Sequence, residues 1–149
     1  MAVCRRVDDP DHDDRVHIDL VTVLVQDYDE SIDFFVRVLG FELLEDAPAA
    51  TTDGRPKRWV VVRPPGATTR LLLARADDAT QRELVGRQFG GRVGLFLRVD
   101  DFDAMERRLH EHGVRFEGEP RHERYGTVAV FRDVAGNRWD LLGPPRDRS

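Results

Sequence analysis

The side chains able to do chemistry are few in this chain and widely spaced. Asp140 lies in Arg138-Trp-Asp-Leu-Leu142, a run whose alternation reads as a strand. A carboxylate there can accept from a ligand amine or hydroxyl, or act as a general base if burial raises its pKa. It can equally be a structural partner of Arg98 or Arg138, because a buried carboxylate must be paired. Those two arginines can clamp an anionic group bidentately or neutralise Asp140. His122 lies with Tyr125 in a polar stretch at the expected cleft mouth, placed for acid–base work near neutral pH or simply exposed. His110-Glu-His112 has the look of a chelate, but residues two apart on a helix point away from each other. Ser31 and Ser149 are the only serines and no Gly-x-Ser-x-Gly elbow exists, which sets serine-type hydrolysis aside. Gly90-Gly91 is followed by Arg92, so no phosphate-cradling loop is read there.

The elements that must position these residues form an internal repeat. Leu20-Val-Thr-Val-Leu-Val-Gln-Asp27 opens one copy and Gly94-Leu-Phe-Leu-Arg-Val-Asp-Asp101 the other. Each reads as an apolar strand, an acidic turn, an amphipathic helix and a stop at Gly40 or Gly113. In the first copy Asp29 is the expected N-cap and Ile32, Phe35 and Leu39 recur at helical spacing; in the second, Asp101 or Asp103 caps a helix carrying Phe102, Met105 and Leu109. Phe41 to Leu44, Trp59 to Arg63 and Arg70 to Ala74 read as further strands, as do Val114 to Phe116, Thr127 to Phe131 and Arg138 to Leu142. Glu45 to Lys57 and Glu117 to Tyr125 read as loops, the former a mobile one. The expected organisation is a disordered tail over 1–16, a first βαβββ module over 17–76, a helical linker over 77–91, a second module over 92–143 and a tail over 144–149. With helices on one sheet face, alternation places Leu20, Thr22 and Leu24 on the other, with Gly94, Phe96, Arg98, Arg138, Asp140 and Leu142. Either Trp59 or Val60 joins them. That wall is mostly apolar with a few polar groups, the make-up of a small-molecule pocket. Gly94 removes bulk and is expected to enlarge it. Phe96 can stack on a ligand or belong to a core.

Composition narrows the partners. The chain has 149 residues, 40% of them hydrophobic and 34% charged, with a net charge of -5. That balance supports one core and leaves no basic face for nucleic acid. Lys57 is the only lysine and Cys4 the only cysteine, so neither an intrachain disulfide nor a thiolate cluster can form. No stretch approaches the roughly 20 apolar residues of a membrane span. The Asp- and Arg-rich start lacks the apolar centre of a signal peptide. Cytoplasmic location is the expectation, and His12 among its carboxylates holds at most a stray cation.

Val25-Gln-Asp27, Phe34-Phe35, Leu39-Gly-Phe41, Val99-Asp-Asp101, Gly113-Val114 and Asp133-Val-Ala-Gly-Asn-Arg-Trp-Asp140 carry a resemblance. Together they resemble the vicinal oxygen chelate superfamily: glyoxalase I, extradiol dioxygenases, and fosfomycin- and bleomycin-resistance proteins. The last run is similar to the family's Asp-Pro-x-Gly-Asn-x-x-Glu ending, with Val134 for proline and Asp140 for glutamate. The resemblance implies an α+β glyoxalase-like fold, two tandem βαβββ modules forming a curved mixed sheet around a cleft. It also implies a homodimer. Metal-dependent members place ligands on the first and last strand of each module. Those positions here are Leu20, Gly94, a stretch from Gly54 to Ala76 without Asp, Glu or His, and Asp140. One carboxylate cannot hold a divalent ion against water, so no metal and no cofactor is expected. The resulting reading is a metal-independent small-organic-molecule binder similar to the bleomycin-sequestering branch, with no nucleic-acid or membrane partner. The alternative is a lyase, isomerase or dioxygenase with an unusual metal, or with Asp140 and His122 as a metal-free acid and base.

Overall fold

The computed structural model describes residues 16–49 and 56–146. The expected N-terminal tail up to residue 15, with Cys4 and His12, lies outside the described residues, as does the end of the C-terminal one. The first module contains β1 (Leu20–Val25), α1 (Tyr28–Asp33, continued by a π turn over Phe34–Val38), β2 (Glu42–Ala49), β3 (Lys57–Arg63) and β4 (Arg70–Arg75). A short helix α2 (Ala79–Leu84) and a turn-rich stretch lead to the second. That module contains β5 (Val93–Arg98), α3 (Phe102–Glu111), β6 (Arg121–Glu123), β7 (Gly126–Arg132) and β8 (Arg138–Gly143). The eight strands form two four-stranded mixed sheets, ordered β1-β4-β3-β2 and β5-β8-β7-β6. In each, the first strand runs parallel to the last and the remaining pairs are antiparallel. That is the α+β, glyoxalase-like arrangement.

Local chemistry sets the helix ends. Asp27, not Asp29, caps α1, its carboxylate accepting from Glu30 N at 2.7 Å; the chain is still extended at Asp27 and already helical at Asp29. Asp101 caps α3 in the same way through Ala104 N at 3.0 Å. Gly40 and Gly113 follow the helices with φ of 79° and 71°, a region that favours glycine. In the π turn, Leu39 N bonds Phe34 O at 3.0 Å, five residues back. This widening lets the sequence neighbours Phe34 and Phe35 both bury, their rings edge-to-face at 5.4 Å.

One core joins the modules. Val23, Val25, Val60, Val62, Leu71 and Leu73 from the first sheet meet Leu97, Ala129, Phe131, Trp139 and Leu141 from the second, with Phe35 and Leu109 from the helices. Phe35 and Trp139 lie 5.9 Å apart between ring centres. Arg108 of α3 ties the helices by donating to Val38 O and Arg37 O, each at 2.8 Å. The family-like run beginning at Asp133 is a structural hub. Asp133 Oδ1 accepts from the backbone N–H groups of Ala135, Gly136 and Asn137, and its Oδ2 accepts from Trp139 Nε1 at 2.9 Å. The turn is thereby locked and Trp139 is aimed into the core.

Two segments read as loops are partly strand. Glu45 to Ala49 extends β2 and pairs with Val61 to Lys57. Arg58 binds Asp46, and Trp59 Nε1 binds Glu45, so polar side chains staple a hairpin whose composition lacks a strand signal. Arg121 to Glu123 is β6, paired with β7. Phe116, by contrast, makes only an isolated bridge to Phe131.

Candidate functional site

The outer face of the first sheet carries a groove of about 640 Å³. Thr22 and Leu24 of β1 lie opposite Leu72 and Ala74 of β4, and all four line it with Trp59 of β3. Trp59 rather than Val60 faces this side: Val60 is buried in the core, while Trp59 is 40% exposed. The indole is pinned by its Nε1, which donates to Glu45 Oε2 at 2.7 Å. Lys57, Arg58, Arg75 and Asp77 border the groove, but by alternation only Lys57 shares the Trp59 face, while Arg58 follows Val60 and Arg75 follows Leu73 to the helix side. Arg58 and Arg75 each lie 5.1 Å from the Tyr28 ring centre, a cation–π arrangement. Arg58 also bonds Asp46 and Asp29, and it holds the Asp46 carboxyl below the usual carboxylate range.

β1 is an edge strand, and edge strands leave backbone groups unpaired. Gln88 of the linker fills that need. Leu24 N donates to its Oε1 at 2.8 Å, and its Nε2 donates to Thr22 O at 3.0 Å. The amide stands in for a neighbouring strand and forms one wall of the groove.

On the second sheet Phe96 lies opposite Asp140 and Arg98 opposite Leu142. Phe96 is 62% exposed. With Arg98 it lines a smaller hollow of about 350 Å³ that also touches Phe41, Pro64, Leu71 and Trp139. Asp140 Oδ1 is buried without a hydrogen bond. That burial pushes the Asp140 carboxyl above its ordinary value, opposed by the charges of Arg121 and Arg138. Neither arginine weighed as its partner bonds it. Arg138 instead donates to Glu117 Oε2 at 2.7 Å and to Gly91 O at 3.0 Å, and the Glu117 carboxyl is held low by it.

Several sequence candidates are not brought together. Thr22 and Trp59 share the first groove, Phe96 and Arg98 the second, and Leu20 and Asp140 line neither. His122 pairs across the sheet with Thr127, on the face of Ala129 and Phe131; Asp140 pairs with Val130, on the opposite face. An acid–base couple of His122 and Asp140 is therefore not assembled. Gly94 does not open a pocket, because the space is taken: a Cβ there would fall 2.2 Å from the Phe89 ring. His110 stacks on Phe116 at 4.4 Å, while His112 meets Arg37 at 3.1 Å, so the two histidines diverge. Among the described residues no group of three or more His, Cys, Asp or Glu is placed to hold a metal. Leu20 and Gly94 offer no donor at all, so these residues do not fit the family's usual ion.

Gln88 and Phe89 are the working residues that sequence reading missed. The one signal for them is an aromatic set within Gly86 to Gly91, a stretch otherwise read as linker.

The family model for the Glyoxalase/Bleomycin resistance protein/Dioxygenase superfamily matches residues 17–141. The chain belongs to that superfamily. An uncharacterized protein of Shewanella frigidimarina is 52% identical over 128 residues, covering 85% of this chain and 90% of the relative. The crystal structure of UcmS2 is similar at a TM-score of 0.72 and 31% identity, over 86% of this chain and 98% of that one. TnmS3, an antibiotic binding protein from Streptomyces sp. CB03234, is similar at a TM-score of 0.68 and 36% identity, over 89% and 99%. Among the described residues no helix is long and apolar enough to cross a membrane.

Proposed function

We propose that the chain binds a small organic molecule without a metal, in a cleft completed by a homodimer. The groove of about 640 Å³ on the first sheet carries this reading: its floor is apolar and its rim polar. Its size falls within the roughly 300–1,000 Å³ of drug-sized sites. The likeness to an antibiotic binding protein supports the same class of ligand. Among the described residues no second-module side chain lines the groove. A second copy presenting Phe96 and Arg98 would supply the facing wall. A cytoplasmic location belongs to the same proposal.

The test is calorimetry and thermal shift with aromatic, cationic and glycopeptide ligands, before and after chelation, with sedimentation to read the assembly state. Binding that survives chelation supports the reading. No heat and no shift across the panel, or a stoichiometric metal that binding requires, sinks it.

One observation favours a second reading: the buried, unpaired Oδ1 of Asp140 and its raised pKa suit a general acid or base. Under that reading Asp140→Asn abolishes turnover with the fold intact. Lower stability with unchanged ligand binding would make Asp140 structural.

A further inference from the structure

We infer that the first-module groove seats an uncharged, flat aromatic group whose hydrogen-bond acceptor meets the open edge of β1. This rests on the binding reading above and names the chemistry of the ligand.

Charge on this face is balanced. Lys57 alternates onto the side of Trp59, and Glu45, paired with Val61, shares that side. Further along the face Arg63 is paired with Glu42, and Arg70 with Asp19. Arg58 and Arg75 lie over Tyr28 on the helix side. Asp77 has an interaction partner of its own. An ion entering the groove would shed water and meet no uncompensated opposite charge, so a neutral group is favoured.

The floor sets the shape of that group. The pairs Val60–Leu73 and Leu24–Ala74 put Trp59, Ala74 and Leu24 in a row across three strands. Trp59 is exposed, with its orientation fixed through Nε1. Ala74, the next residue in the row, is small and leaves room for a ring to lie against the indole. A pinned aromatic stacks a flat ring with little further loss of side-chain freedom.

The far end of the row sets the polarity. Leu24 N and Thr22 O both bond the Gln88 amide, so the even-numbered residues of β1 turn their backbone groups to the open edge. Thr22 N–H points the same way. The Thr22 hydroxyl has no partner among the described residues, and the Gln88 amide nitrogen keeps a second N–H. All three are donors, and they lie two strand spacings, roughly 10 Å, from the Trp59 strand. A neutral aromatic with a carbonyl-type acceptor at one end satisfies floor and edge together.

The experiment is fluorescence titration of the full chain with 6-propionyl-2-(dimethylamino)naphthalene, a flat neutral ketone whose emission moves to the red when its carbonyl accepts hydrogen bonds. Its comparators are 2-(dimethylamino)naphthalene, which lacks the acceptor, and the 6-carboxylate and 6-aminomethyl ions of the same ring. The ketone is expected to bind about fivefold tighter than the parent amine, the worth of one net hydrogen bond. Both ions are expected to bind more weakly than the ketone, and the ketone's affinity should hold in high salt. Thr22→Val/Gln88→Met should remove most of the preference for the ketone and move its bound emission to the blue, with the parent's affinity kept. If the double variant does not fold, Thr22→Val alone must still narrow the preference. An ion that equals the ketone, a parent that equals it, or a preference unchanged in these variants overturns the proposal. If the probes then still bind and Trp59→Ala removes that binding, the ligand class is wrong and the binding reading stands. No binding of these or the wider panel overturns both.

Discussion

In the first module the helix starts at Asp27, runs as α1 for six residues and widens into a π turn; in the second, the helix starting at Asp101 stays regular for ten. The first sheet pairs β1 with β4 without interruption, whereas β5 meets β8 with a bulge between Val93 and Leu95. The first edge strand is dressed by Gln88 and fronts the larger groove, while at the second edge Phe89 sits against Gly94. Both Gln88 and Phe89 come from the linker, so a segment outside the repeat makes the two modules unequal. Duplication supplies the scaffold, and the intervening chain assigns the faces.

The sharpest way to break the comparison is through the core the modules share. Phe35→Ala or Trp139→Ala should each cost about 3–5 kcal/mol, as large aromatic deletions from a packed core do. Denaturant unfolding followed by fluorescence and by circular dichroism should still show one transition, since the rings of both modules interlock. Two separated transitions would mean the modules are independent.

Gly94→Ala tests the asymmetry itself. A methyl group 2.2 Å from the Phe89 ring forces the linker to move, at a cost of roughly 1–3 kcal/mol. Phe89→Ala should relieve most of that penalty, so a double-mutant cycle measured by chemical denaturation reads the contact. Additive effects would place the strain elsewhere.

The caps probe what the modules have in common. Asp27→Ala and Asp101→Ala should destabilise by about 1 kcal/mol each, because both carboxylates satisfy one orphan N–H at the same helical position. A large inequality in thermal unfolding would show that tertiary contacts, not the repeat, fix one helix start.

The smallest effect is a pH dependence confined to the second module. Glu117 is held below its ordinary value chiefly by its bond to Arg138. Its stabilisation is fully present above the unfolded-state value and is lost as pH falls through the lowered folded one. The pair, each side chain 31% exposed, contributes roughly 0.5 kcal/mol after screening. Wild type should therefore lose that increment over Glu117→Gln between about pH 5 and pH 3. Parallel curves would remove Glu117 as a latch.

The sequence by itself determined the repeat, the order of elements, a second cap at either Asp101 or Asp103, the Gly40 and Gly113 stops and the lack of donor side chains at Leu20 and Gly94. All of these are written in local periodicity, turn chemistry or residue type, which act within a few positions of chain. Only the tertiary structure decided that Gln88 pairs with β1 from 64 and 66 residues away. It alone turned His122 away from Asp140, gave Arg138 to Glu117 and filled the space at Gly94. Such partners are chosen by packing between distant segments, where any polar side chain of suitable reach can satisfy an open backbone group, and no local pattern says which one will.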